Sequence, residues 1–345
     1  MFRMNKKIEA GEVYIIAEMS ANHGGDVETA LRIVREAAKA GADCVKIQTY
    51  TADTITINCD NEYFRIHDGL WDGYNLYDLY SEAYTPWEWQ ERVKLECEKN
   101  NIDFLSTPFD KSAVDFLESI GCEAYKIASF ELVDIPLIEY AASKKKPMII
   151  STGMASIDEI EEAVEACKRV GNNNIVLLKC TSEYPALWPD MHLGNISDMR
   201  DRFDLPIGIS DHSIGSLVPT IAVALGARII EKHIKLNTVS SVDSDFSMSI
   251  DDFESMVKDV KHTQEVLKGP DYSLTEGEKH SLKFRRSIFA VDEIKQGDVF
   301  TEKNIKSIRP SDGLHPRYYK SVLGKRAACD IAFGQPLDWD LVSEE

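Results

Sequence analysis

Two histidines and two lysines carry most of the chemistry that this sequence permits. His212 closes the segment PIGISDHS and His233 closes ARIIEKHI. If these segments are neighbouring strands, two imidazoles meet at one rim with coordination positions left open. That donor set suits a divalent cation, manganese or magnesium, acting as a Lewis acid on a carbonyl. A lone histidine is more often a hydrogen-bonded core residue, and the pairing at two strand ends is what favours ligation. Strand alternation also puts Ser210 beside His212, and Glu231 beside His233, on shared faces. Lys46 (DCVKIQTY) and Lys126 (AYKIASFE) are cations at the ends of apolar segments, placed to capture an anionic substrate. Thr107, Ser129, Ser151, Ser182 and Ser210 stand at comparable strand ends and would add hydroxyl donors around a phosphate or carboxylate. Taken singly, such a serine is more often a strand-end cap. Lys179 is ambiguous, with Glu231 or Glu183 as its partner. Glu18, Glu131 and Asp243 are the carboxylates that would orient hydroxyls or move protons, with Asp245 a rival to Asp243 in the same loop. Asn22 and His23 (ANHGG) either touch substrate or shape a turn. Of the other histidines, His67 and His315 are the two that could border a site.

The elements that must position these residues can be read from period and punctuation. Eight short apolar segments begin at Val13, Asp43, Asp103, Ala124, Pro147, Ile175, Pro206 and Ala227, each followed by a stretch of helical spacing. Between the first two, VETALRIVREAAKAGA puts Leu31, Val34, Ala37 and Ala38 on one face and ends at Gly41. Eight such alternations in about 270 residues predict a parallel (β/α)8 barrel, a TIM barrel, whose strand C-termini form one mouth where active sites are built. Burying unpaired charge is costly, so a purely structural barrel would not need lysines and carboxylates at its strand ends. The long aromatic insertion from about Thr51 to Tyr84 follows the second strand, and a lid or an interface excursion fits it equally. After a polar connector, IKQGDVFTEKNI and IAFGQPLDWDLV read as two copies of one turn-rich unit. The expected division is a barrel over 1–270, a linker over 271–284 and a small β-rich domain over 285–345.

Composition bounds the function. The formal charge is -19, which repels nucleic acid and anionic membrane surfaces. Residues 285–345 hold 10 basic and 10 acidic side chains, so the first 284 carry the whole acidic excess. Seven scattered cysteines without a CxxC pair are expected to be reduced, small core residues. There is no run of about 18 apolar residues and no apolar signal-peptide segment near the start, so a soluble, cytoplasmic protein is expected.

The segments IIAEMSANHGG, GADCVKIQTY, FLSTPF, AYKIASFE, ISTGMAS, LKCTSEYP, GISDHS, ALGARIIEKH and SIRPSDGLHP resemble the sialic acid synthase family, in order and along essentially the whole chain. The resemblance implies a barrel followed by an antifreeze-like (SAF) domain, in a domain-swapped homodimer. It implies a divalent metal, Mn2+ or Mg2+, on His212 and His233. Phosphoenolpyruvate would lie among Lys46, Thr107, Lys126, Ser129, Ser151, Ser182 and Ser210. The sugar would face Glu18, Gln48, Tyr184 and Asp243, with Arg309 coming from the partner's small domain. The implied reaction is a C–C bond-forming condensation of phosphoenolpyruvate with an open-chain amino sugar, releasing phosphate. Catalytic roles fall to Lys46, Lys126, Glu18, Asp243 and above all Glu131. GLWDGYNLYDLYSEAYTPWEWQ, CTSEYP and RPSDGLHP resemble the branch that uses 2,4-diacetamido-2,4,6-trideoxy-altrose; Ser182 stands where neuraminate-forming members typically have asparagine. A neuraminate- or legionaminate-forming enzyme, a metal-dependent pyruvate aldolase and a non-catalytic sugar-binding protein are the alternatives.

Overall fold

A computed structural model describes residues 2–343 of the chain, which divides into two compact units, Met1–Lys268 and Gly269–Glu345. The first unit is the barrel. Strands β1 (Tyr14–Glu18), β2 (Cys44–Thr49), β3 (Asp103–Pro108), β4 (Tyr125–Ile127), β5 (Met148–Ser151), β6 (Ile175–Cys180), β7 (Ile207–Asp211) and β8 (Ile229–Lys235) pair in parallel, in chain order. The β8–β1 pairing, with Glu18 opposite His233, closes the ring. A two-residue strand, β9 (Met248–Ser249), adds to the end of β8.

Period 2 decides which side chains enter the pore. Tyr14, Ile16, Leu105, Ile149, Val176, Leu178 and Ile229 form a small inner cluster, while their strand neighbours Ile15, Phe104, Ile150, Leu177 and Ile230 belong to the larger core under the helices. Gly208 shares the inward side of β7 with Ser210, and it must be glycine because a Cβ there would lie 2.5 Å from the Ile229 carbonyl oxygen. Helix α1 (Met4–Glu9) closes the lower end of the barrel: Met4 is fully buried in the inner cluster, and Arg3 and Lys7 bond Asp103 and Asp43. Burying such a side chain contributes roughly 2 kcal/mol. The sequence reading assigns no element there, because six residues are too few to show a period.

The outer helices form where the spacing places them. Helix α2 (Val27–Lys39) starts at Asp26, which accepts from the Thr29 amide at 2.8 Å, buries Leu31, Val34 and Ala37, and stops before Gly41 at φ 95°. The insertion supplies α3 (Ala52–Ile55) and α4 (Leu76–Ala83) before α5 (Trp87–Lys99) resumes the ring. Helices α6 (Lys111–Ser119), α7 (Ile135–Ser143), α8 (Ile157–Arg169), α9 (Asn195–Phe203), α10 (Leu217–Ala224) and α11 (Ile250–Val266) complete it. A capping box between Ser156 and Glu159 sets the start of α8.

In the second unit β10 (Ser287–Ala290) pairs antiparallel with β11 (Ile305–Ile308). The two sequence copies face each other: Ile294 and Ile331 exchange backbone hydrogen bonds at 3.0 and 2.8 Å. Gly297 and Gly334 take positive φ in equivalent turns, and Phe300 and Leu337 are buried alike. The stretch read as a linker contains a short helix, Glu276–Ser281, capped by Thr275.

Candidate active site

At the upper end of the barrel the inward positions change from apolar to polar, and a cavity of about 370 Å³ opens over them. Twelve of the residues singled out from the sequence line it: Lys46, Gln48, Lys126, Ser129, Glu131, Ser151, Tyr184, Ser210, His212, Glu231, His233 and Asp243. Glu18 and Thr107 lie fully buried just beneath, each against the Lys46 ammonium at 2.6 and 3.3 Å. Ser182 sits at the edge, its hydroxyl 3.7 Å from Cys180 Sγ. Gly153 lets it approach, since a Cβ there would meet Ser182 Oγ at 2.1 Å and Ser129 Oγ at 2.8 Å. The Gly153 amide donates to Ser129 Oγ at 3.0 Å. Arg309 belongs to the second unit, beside β11.

The two lysines of the floor are not the free cations that the sequence suggests. Lys46 and Lys126 share one carboxylate, with Glu231 Oε1 at 3.6 and 3.8 Å, and Lys46 also pairs with Glu18. A buried ammonium is too costly without a counter-charge, so the barrel supplies two. Lys126 donates to Ser151 Oγ at 2.6 Å and to the Ile127 carbonyl at 3.1 Å, and Ser210 donates to Glu231 Oε1 at 3.1 Å. Burial raises Glu18 to about 7 against the pull of Lys46, with Glu231 adding to the rise. A protonated Glu18 leaves the floor one positive charge in excess, which favours an anion. Burial likewise raises Glu131 to about 7, with Lys126 opposing, and its Oε2 is buried without a hydrogen-bond partner.

The imidazole pair tests whether a metal would fit. The His212 and His233 rings are 5.3 Å apart between centroids. His212 Nδ1 lies 2.9 Å from the Thr181 carbonyl, which can only accept, so Nδ1 carries a proton and the lone pair of the neutral ring is on Nε2. Burial lowers the pKa of this imidazole, but Cys180 and the Thr181 carbonyl outweigh it and raise it, so a cation there would displace the Nε2 proton. His233 Nδ1 and Glu231 Oε2 are buried with no hydrogen-bond partner. Burial, helped by His212 and Lys46, holds His233 well below its ordinary pKa and hence neutral, the form that ligates. Among the described residues no three His, Cys, Asp or Glu side chains converge as a complete metal site. These donors therefore fit an open site of two imidazoles, with positions left for substrate or water.

Other expectations resolve by geometry. Asp243 lines the cavity, held by Ser20 Oγ at 2.5 Å and the Ala21 amide at 3.2 Å, while Asp245 is exposed. Lys179 points out of the pore, bonded to the Thr181 hydroxyl. Asn22 ties the Ile234 carbonyl to Ser247, and buried His23 lies between Thr85 and Trp89, so both shape turns. His67 is exposed and faces Glu62.

The sequence reading missed four contributors. Cys180, expected as a core cysteine, faces the cavity. Burial pushes its thiol up, but His212 and the Ser129 and Ser182 hydroxyls outweigh that and bring it down to about 7. Its signal was present, since counting by two from Val176 and Leu178 places it inward. Ser20 links Gln48 and Asp243. Trp71 and Phe246 close around Tyr184, an arrangement that no local pattern encodes.

Residues 33–272 match the NeuB family, and residues 285–343 match the SAF domain. A pseudaminic acid synthase from Campylobacter jejuni is 46% identical over 327 residues, 94% of this chain and 95% of that protein. One from Helicobacter pylori is 42% identical over 329 residues, 94% and 96% of the two chains. The crystal structure of an N-acetylneuraminic acid synthetase from Leptospira borgpetersenii superimposes with a TM-score of 0.69 at 33% identity, covering 79% of this chain and 91% of that one. The chain belongs to the NeuB family, a (β/α)8 barrel followed by an SAF domain.

Proposed function

We propose that this chain is a pseudaminic acid synthase, condensing phosphoenolpyruvate with open-chain 2,4-diacetamido-2,4,6-trideoxy-altrose to a nonulosonic acid and phosphate. The observation that carries this reading is the juxtaposition in one cavity of a buried two-lysine floor and an open imidazole pair. The identity of 42–46% to pseudaminic acid synthases over 94% of the chain supports the choice of sugar.

In this reading Lys46 and Lys126, with Ser151, Ser210 and the Ser129–Ser182 pair, hold the phosphate and carboxylate of phosphoenolpyruvate. Gln48, Tyr184 and Asp243 orient the sugar at the other end of the cavity. Glu131, poised near neutrality above the floor, moves the proton of the attacking water; Glu18 adjusts the charge of the floor by keeping or losing its own proton. His212 and His233 would hold a manganese or magnesium ion, which when bound would supply Lewis acidity toward the sugar carbonyl. The enzyme works in the cytoplasm as a domain-swapped homodimer, in which Arg309 of one copy reaches the sugar of the other.

Phosphate release from phosphoenolpyruvate, measured with each sugar in turn, tests the proposal. Release that requires the altrose derivative and a divalent cation supports it. Preference for the neuraminate or legionaminate precursor would reassign the substrate, and turnover with pyruvate alone would make the protein an aldolase. His233→Ala is expected to lose cation binding by titration calorimetry, together with turnover, at unchanged circular dichroism.

A further inference from the structure

The cavity has a second character that the reaction itself does not need. Opposite the charged floor, the insertion between β2 and α5 contributes Ile55, Ile66, Trp71, Leu79, Tyr80 and Ala83. Of these, only Trp71 and Tyr80 carry polar side-chain atoms. The Trp71 indole N–H is already engaged, donating to the Val242 carbonyl at 3.2 Å in the loop after β8. Its ring lies 5.8 Å from Tyr184 and 6.3 Å from Phe246, both of which line the cavity.

The loop is braced so that this face is held in place. Ile66 and Tyr74 bond through the backbone at 2.9 Å, and the Gly73 amide returns to the Ile66 carbonyl at 3.0 Å. Asp68, Gly69 and Gly73 take positive φ to make the turns between them. Asn75 ties the loop base to the Cys59 carbonyl at 2.8 Å, and Tyr50 packs edge-on against Tyr80. A free surface loop needs none of these ties.

We propose that this wall is the specificity element of the sugar site, with Trp71 and Ile66 packing against the 6-deoxy methyl and N-acetyl methyl groups of the substrate. The inference rests on the synthase reading given above. A hydroxyl in place of a methyl packed on Trp71 and Ile66 would meet apolar carbon and an indole N–H already donated to the Val242 carbonyl, the Tyr80 hydroxyl being the one other polar group on this wall. The floor, which binds phosphoenolpyruvate, is built from different strands and should be indifferent to the change.

The test compares kcat/KM for 2,4-diacetamido-2,4,6-trideoxy-altrose and for its 6-hydroxy counterpart, by phosphate release from the full-length protein. The wild type should favour the deoxy sugar by about tenfold or more. Trp71→Ala and Ile66→Ala should each narrow that ratio several-fold, chiefly by losing activity on the deoxy sugar, with KM for phosphoenolpyruvate unchanged. Trp71→Phe keeps an apolar ring but loses the bond to Val242, and should retain most of the ratio. Equal losses on both sugars in Ile66→Ala would show a merely structural loop and overturn the inference, even if Trp71→Ala does not fold. If the wild type discriminates between the sugars and no variant alters the ratio, the wall fails while the synthase reading stands. If the wild type uses neither sugar, both fail.

Discussion

Replacing Glu131 by glutamine should make the protein more stable at pH 8 while impairing its reaction. Burial raises this carboxyl to about 7, from 4.5 in an unfolded chain, against the opposing pull of Lys126. Between these values the folded state holds a proton that the unfolded state has released. The folded form is therefore favoured most at low pH, and that advantage disappears as pH rises through 7. Applying the two pKa values at pH 5 and pH 8 gives a loss of roughly 2.5 kcal/mol over that window. Glutamine resembles the protonated acid and does not titrate, so the variant escapes the loss. The difference in unfolding free energy, variant minus wild type, should grow by about 2 kcal/mol from pH 5 to pH 8, or several degrees in Tm. Denaturant titrations of both proteins at the two pH values measure it. The same variant should lose the limb of the kcat/KM profile that titrates near 7. A stability difference that stays flat across the range would refute the claim that Glu131 is forced to keep its proton.

Three further predictions follow from the packing around the cavity. Lys126→Met removes a charge-assisted contact of about 1.5–3 kcal/mol, so kcat/KM for phosphoenolpyruvate should fall by roughly 10- to 150-fold; steady-state kinetics showing a rise in the sugar KM alone would contradict this. On the helix-facing side of β7 and β8, Lys232 and Asp211 form a fully buried ion pair at 2.6 Å, next in sequence to both imidazoles. Lys232→Met should cost about 3–5 kcal/mol by leaving Asp211 unpaired, and adding Asp211→Asn, which preserves an acceptor for the Ser213 amide, should recover much of it in thermal unfolding. Gly153→Ala places a methyl where the Ser129 and Ser182 hydroxyls converge; their flexible ends can give way, so the fold should survive while use of phosphoenolpyruvate weakens by up to about tenfold.

Much of the barrel was legible because its signals are local. Alternation on β1 to β8 and the Gly41 stop each lie within a few residues of what they control. Period 2 alone placed Lys46, Lys126, His212 and His233 on the inner side of their strands, and a closed parallel ring then left them one mouth to share. Helix α1 escaped notice because its role, plugging the pore with Met4, exists only once the pore does.

What the tertiary structure alone decided is the company each group keeps. Glu231 between two lysines, the orphaned nitrogen of His233, and Trp71 over Tyr184 are pairings between residues far apart in the chain. Burial in a low-dielectric interior raised Glu131 and Glu18 toward neutrality, and at Cys180 the neighbouring His212 and two serine hydroxyls outweighed burial and lowered the thiol. Residue type and spacing determined which groups could face the pore; only the distances across it determined which of them carry charge and which are left without a partner.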